Sequence, residues 1–182
     1  PRTSGDSNPY SQYVEREHFE YKRKVFAKTY LQYKITDNLR FKTQLGITLE
    51  NRKRHRYDGV NYHSGGASRS QLNYQNRDQI RIVNDNLLTY NNTFGDHDVN
   101  VLAGLTVQGR RVEDAQQTGV GYTNDLVKTL NAATSISSWS EYNENRRKVG
   151  YFARLNYSYK EKYLLNASVR RDGSSVFGLD SK

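Results

Sequence analysis

The stretch Val149 to Gly178, VGYFARLNYSYKEKYLLNASVRRDGSSVFG, decides the fold. Its first half puts Tyr151, Ala153, Leu155, Tyr157 and Tyr159 at every second position, and its second half does the same with Tyr163, Leu165, Ala167 and Val169. Side chains alternate across a strand, so each half reads as a strand with one apolar and one polar face. Only Lys160-Glu161-Lys162 joins them, which makes the pair a β-hairpin.

The same unit occurs twice upstream. In the first hairpin Val25, Ala27, Thr29, Leu31, Tyr33 and Ile35 alternate with Phe26, Lys28, Tyr30, Gln32 and Lys34. After Thr36-Asp37-Asn38, Leu39, Phe41, Thr43, Leu45, Ile47 and Leu49 alternate with Arg40, Lys42, Gln44, Gly46, Thr48 and Glu50. The second hairpin descends through Leu88, Tyr90 and Phe94, turns at Gly95 to Asp98, and returns through Val99, Val101, Ala103, Leu105 and Val107. Asn84, Asn86 and Asn92 interrupt the apolar face of its descending strand. Directly paired residues on antiparallel strands share a face. Pairing Ile35 with Leu39 and Tyr159 with Tyr163 requires three-residue loops, and pairing Phe94 with Val99 requires a four-residue loop. The apolar face is then continuous over all three hairpins.

Composition narrows the class. Only 35% of the 182 residues are hydrophobic, Cys and Met are absent, and 15 Tyr stand beside six Phe and one Trp. A net charge of +9 with few apolar residues favours disorder, but the alternating β-formers oppose it outside the loops. Without cysteine there is no disulfide, thiol catalysis or thiolate metal site. No apolar run reaches the ~18 residues of a membrane-spanning helix. Transmembrane strands escape that test, because only alternate residues face lipid. Pro1-Arg2-Thr3-Ser4-Gly5 lacks the pattern of a signal peptide, which leaves a non-exported protein or an internal piece of a longer one.

Residues 1–16, which hold both prolines, read as a loop; 51–78 read as a long loop or a strand pair rising from the sheet, and 109–147 as a second long polar segment. The short turns recur roughly sixty residues apart between these segments, so one rim is tight and the other carries large loops, as in outer-membrane barrels. Tyr33, Phe41, Tyr90, Phe94, Tyr157, Tyr159 and Tyr163 gather beside the short turns on the apolar face, where an interfacial girdle lies. The alternative is ordinary cross-strand packing. Six strands are too few to close a barrel, so the expected fold is all-β, an antiparallel transmembrane barrel segment of about three hairpins with short periplasmic turns and long extracellular loops.

Three blocks carry a resemblance: Leu87 to Gln108, Gly121 to Ser135 and Gly150 to Gly178, the last with an aromatic-x-R-L-N-Y-x-Y-K-x-K-Y-L-L string and then R-R-D-G-S-S-x-F-G. The chain resembles the barrel of SusC/RagA-type TonB-dependent outer-membrane transporters of Bacteroidetes over most of residues 22–182. The resemblance implies that residues 1–182 are part of one barrel domain in the outer membrane, with plug and C-terminal strands outside this stretch. It implies a nutrient importer for oligosaccharides or peptides, working with the TonB complex and a SusD-like surface lipoprotein, embedded in outer-membrane lipid, without enzymatic activity or cofactors.

Other motifs read more simply. Arg170-Arg171-Asp172-Gly173-Ser174-Ser175 could form a phosphate-binding turn, but reads better as a strand leaving the bilayer with its arginines in a wet lumen. Arg52-Lys53-Arg54-His55-Arg56 resembles a nucleic-acid patch; above a strand, it more plausibly meets an anionic leaflet or a sugar acid, or is solvated. His18, His55, His63 and His97 lack paired metal-ligand spacing, and surface exposure is expected of His97. Gly119-Val120-Gly121 lacks the third glycine of a dinucleotide loop. Glu141 and Glu144 have no counterpart across a substrate. Lys28, Lys34, Arg40, Lys42, Arg154 and Arg170 would line the lumen with positive charge, favouring anionic solutes or pairing with acidic plug groups. Tyr62, Tyr74, Tyr122, Trp139 and Tyr142, taken as exposed in the loops, would stack on sugars or anchor a lid protein. The substrate-contact candidates are Tyr62, Trp139, Arg154 and Arg170. The rival class is a soluble β-sandwich carbohydrate-binding or adhesin module, and a basic nucleic-acid-binding β-domain is a third.

Overall fold

The computed structural model describes residues 9–62 and 66–176; His63, Gly65 and the run from residue 177 to Lys182 lie outside them. A short helix α1 (Pro9–Val14) precedes β1 (Arg16–Lys34), β2 (Leu39–Asp58), β3 (Gln71–Phe94), β4 (His97–Val120), β5 (Ser135–Tyr159) and β6 (Tyr163–Ser174). Single turns of 3-10 helix cover Gly66–Arg69 and Leu130–Ala132. The strands form one sheet in the order β1-β2-β3-β4-β5-β6, a meander with β1 and β6 at its edges. A sandwich needs a second sheet, and the described residues form one.

The hairpins hold, with one shift. Ile35 N–H donates to Leu39 O at 2.9 Å, and Tyr159 faces Tyr163 directly. The middle loop is two residues, Gly95-Asp96, rather than four. Thr93 Oγ1 bonds Asp98 Oδ1 at 3.2 Å and Thr106 Oγ1 bonds Asp85 Oδ1 at 2.8 Å, as pairing Phe94 with His97 demands. Gly95 has φ +59°, the requirement at the first position of a type II′ turn, which matches strand twist. A slide of two residues keeps every side chain on its face, so the continuous apolar face survives the correction.

Of the two readings of 51–78 the strand pair holds, formed by residues 51–58 and 71–78. The other polar segments differ more: most of 109–147 continues β4 and begins β5, and β1 starts at Arg16 rather than Val25. These strands carry mostly polar side chains, many of them tied by side-chain amides. Asn51 Nδ2 donates to Asn76 Oδ1 at 3.0 Å and to Asp78 Oδ1 at 2.7 Å. Gln75 Nε2 donates to both Asp114 oxygens at 2.7 and 2.9 Å, and Asn73 Nδ2 to Thr118 Oγ1 at 3.0 Å. Backbone ladders need no apolar stripe where the side chains are satisfied by one another, so alternation is silent there.

The chain divides into two compact units. Among the described residues, unit 1 comprises 9–24, 50–62, 66–79 and 112–143; unit 2 comprises 25–49, 80–111 and 144–176. Unit 1 has a core of its own, in which Tyr57, Leu72 and Tyr122 are each 1% exposed, with Tyr74, Leu130, Ala132 and Ala133 packed against them. Tyr62 is also buried. Polar bonds fasten the core. Tyr57 Oη donates to Asp125 Oδ1 at 2.7 Å, and the same oxygen accepts Val60 N–H at 3.0 Å. Ser70 Oγ donates to Ala67 O at 2.6 Å and accepts Tyr122 N–H at 2.7 Å. Burial, then the Asp125 carboxylate, pushes the Tyr57 hydroxyl far above its usual range, and burial raises Tyr122. Gly59 is required here, because its N–H donates to Glu15 O at 2.7 Å and a Cβ would meet that oxygen and Asp125.

Unit 2 is built the other way round. Its outward-alternating side chains are exposed or half-exposed, Leu31 by 67%, Val169 by 67%, Leu165 by 55% and Phe94 by 51%. The described hydrophobic side chains that are fully buried all belong to unit 1. Beside the short turns the aromatics touch in series. Phe94 stacks on His97 at 5.6 Å, His97 lies 4.8 Å from Tyr159, and Tyr159 stacks on Tyr163 at 6.3 Å. His97 Nδ1 is 2.7 Å from Tyr157 Oη. His97 therefore opens β4 and joins this belt rather than sitting exposed in a turn, since the shorter loop brings it opposite Phe94.

Candidate functional site

The polar face of unit 2 is the surface on which chemistry can act. Even-numbered residues of β4, β5 and β6 point there together. The Phe152 ring lies over Gly104, where any Cβ would collide with it. Opposite Phe152 stands Arg170, whose guanidinium is 5.9 Å from the Phe152 ring. Arg170 also grips Asp172 through two parallel bonds, Nε to Oδ2 at 2.8 Å and Nη2 to Oδ1 at 2.9 Å. That fork fixes the guanidinium plane. Gly150 leaves the room it needs, because a Cβ there would meet Asp172.

A groove of about 530 Å³ opens beside this pair, lined by Thr106, Gln108, Arg146, Lys148, Gly150, Arg170, Asp172 and Ser174 among others. Next to it Arg81, Arg110, Arg146 and Lys148 line a smaller hollow. Two carboxylates are already engaged: Glu144 takes Arg146 and, at 3.5 Å, Arg110, while Asp172 takes Arg170. Arg81, Lys148 and Arg154 have no salt bridge among the described residues. Cations outnumber carboxylates on this wall, and the surplus gives an attractive field for anionic solutes.

The four candidates separate. Arg154 is exposed and faces Ser168 across β6, next along the same face from Phe152 and Arg170. Trp139, in unit 1, is 75% exposed. Tyr62, also in unit 1, is 8% exposed, with the Arg16 guanidinium 5.2 Å above its ring. Tyr62 and Tyr122 are thus not displayed, because tyrosine can bury its ring and still bond its hydroxyl. Arg81, Arg110, Arg146, Lys148 and Phe152 escaped the sequence reading. Extending the alternation of β5 upstream of Val149 would have found Arg146 and Lys148.

Two arginine readings change. Arg170 faces Phe152, whereas Arg171 faces Tyr151 on the apolar side; neighbours on a strand cannot share a face. Asp172 and Gly173 remain within β6 rather than turning the chain. Likewise Arg52 to Arg56 lie inside β2, so Arg54, which bonds Glu20 Oε2 at 3.0 Å, and His55, stacked on Phe19 at 4.6 Å, point to opposite sides rather than forming one patch. His18 Nε2 is 3.1 Å from Asp58 Oδ1.

No family model matches the chain. TonB-dependent receptor P39 of Formosa agariphila is 34% identical over 164 residues, covering 82% of this chain and 15% of the relative. TonB-dependent receptor P3 of the same organism is 29% identical over 158 residues, covering 86% and 16%. The chain therefore spans about a sixth of the length of the curated relatives it matches. The structure of the RagAB peptide transporter superposes with a TM-score of 0.84 at 20% identity, over 93% of this chain and 19% of that one. By sequence the chain is similar to a part of the TonB-dependent receptors, and by fold it matches a stretch of the β-barrel wall of the RagAB transporter.

Proposed function

We propose that the chain is a wall segment of an outer-membrane, TonB-dependent nutrient importer for oligosaccharides or peptides, embedded in outer-membrane lipid. One observation carries this reading: unit 2 turns an exposed apolar face to one side and, to the other, the cations Arg81, Lys148 and Arg154, which make no salt bridge among the described residues. A barrel wall needs that division, with lipid outside and a wet passage inside. The segment does no covalent chemistry; it lines the path of a ligand released when a plug moves. The energy source is the TonB complex, and the lid is a SusD-like surface lipoprotein, as the family resemblance implies. The cationic lining favours cargo bearing carboxylate or sulfate groups.

The test is uptake by cells carrying the full-length protein. Arg154→Glu with Lys148→Glu should reduce uptake of an acidic oligosaccharide or peptide severalfold and leave its neutral counterpart nearly unchanged. Equal loss for both cargoes would refute the charge-selective lining, and uptake independent of TonB would refute the importer.

A further inference from the structure

We infer that the apolar face of unit 2 carries a binding site for one phosphate-bearing lipid, its chain in a trough and its headgroup on Arg171 and Arg147. This rests on the proposal that the face meets lipid, and adds a specific ligand to it. The trough, about 530 Å³, is floored by Ala103 and Ala153 and walled by Leu88, Leu105, Tyr151 and Val169, with Arg171 at its edge. Small residues among large ones leave a channel a hydrocarbon chain can fill. Arg171 lies beside Tyr151 at the end of β6 remote from Lys160-Glu161-Lys162.

Charge on this face is one-sided. Following the alternation through the strands of unit 2, its outward positions contain no Asp or Glu, and their charged residues are Arg111, Arg147 and Arg171, all distant from the short turns. Arg147 is anchored by its backbone to Ser175, whose N–H donates to Arg147 O at 2.9 Å while Arg147 N–H donates to Ser175 Oγ at 3.0 Å. Between Arg147 and Arg171 the same face carries Val149 and Gly173, which face each other and put no charged side chain between the two arginines. Neither has a salt bridge among the described residues. Guanidinium groups beside an apolar surface, with no carboxylate among the described outward positions of unit 2, match an amphiphile with an anionic phosphate head.

The full-length protein, inserted into vesicles of phosphatidylcholine with or without phosphatidylglycerol, provides the test through lipid retained after detergent extraction. The wild type should retain phosphatidylglycerol over phosphatidylcholine. Arg171→Gln should lower that preference about fivefold and the double change with Arg147→Gln about thirtyfold, while Arg171→Lys keeps most of it. Ala153→Leu should fill the trough and reduce retention without altering charge, and Arg154→Gln, on the opposite face, should have no effect. Insertion with no preference for the anionic lipid, or displacement of bound lipid by inorganic phosphate, would overturn the site while leaving the lipid-facing wall intact. Failure to insert into either vesicle would overturn the wall and the site together.

Discussion

Units 1 and 2 are made from the same strands yet obey opposite rules of burial. In unit 1 Tyr57 of β2, Leu72 of β3, Val112 of β4 and Tyr122 just beyond β4 are each at most 1% exposed, and its polar groups are tied in pairs such as Tyr57–Asp125 and Gln75–Asp114. Unit 2 has exposed Leu, Val, Tyr and Phe on one face and a polar, cationic surface on the other. The first is the arrangement of a protein that excludes water from its own interior. The second leaves its apolar side chains for a different solvent. The lesson is that a strand carries no single environment along its length.

The contrast can be attacked at either end. The largest effect is expected in the unit 1 core: Tyr122→Ala, which removes a ring from a packed site, should cost about 3 to 5 kcal/mol of local stability. Hydrogen exchange of the full-length protein should show faster exchange across unit 1 amides and little change in β6. Next come charges on the two faces of unit 2. Leu105→Arg should impair membrane assembly by about 2 to 4 kcal/mol, and Gln44→Arg, on the polar face, should be tolerated; heat-modifiable migration of the assembled barrel reports both. A third change, Tyr57→Phe, deprives Asp125 of a donor and should destabilise unit 1 by about 1 to 2 kcal/mol, less than loss of the Tyr122 ring.

The smallest effect is with pH. His55 lies in unit 1 with its Nε2 buried and unbonded, and burial holds its pKa below 6.5, opposed by Glu17 and aided by Lys128 and His18. Protonation is thus easier unfolded than folded. The neutral form incurs no loss above pH 6.5, and stability falls as the pH drops below that value. Exchange at β2 amides near His55, corrected for intrinsic rates, should be faster at pH 5 than at pH 7.5, and His55→Asn should remove the difference.

How far the sequence could be read follows the same division. Alternation identified the apolar face of unit 2 because a strand with one apolar face shows it at every second position, and the motif around Arg154 and Tyr157 led to the family resemblance. Parity determines facing but not register, which is why Phe94 could slide from Val99 to His97 unseen. For unit 1 the sequence supports only a loop or a strand pair over 51–78 and a polar segment over 109–147, because its core is assembled from Tyr57, Leu72 and Tyr122, residues far apart in sequence with no period between them. Tyr62 was misjudged for the same reason. Arg170 and Arg154 were legible as polar-face cations, whereas the Phe152 ring over Gly104 was not, since a glycine in a strand has many explanations.

The central claim is that unit 2 separates lipid from water residue by residue. The chain contains no cysteine, so single cysteines can be placed one by one from Val101 to Val107 in the assembled full-length protein and challenged with a water-soluble maleimide. The account expects labelling at even positions, such as 102 and 106, and protection at odd ones, such as 103 and 105, with a period of two. Uniform labelling, or protection that does not alternate, would contradict it.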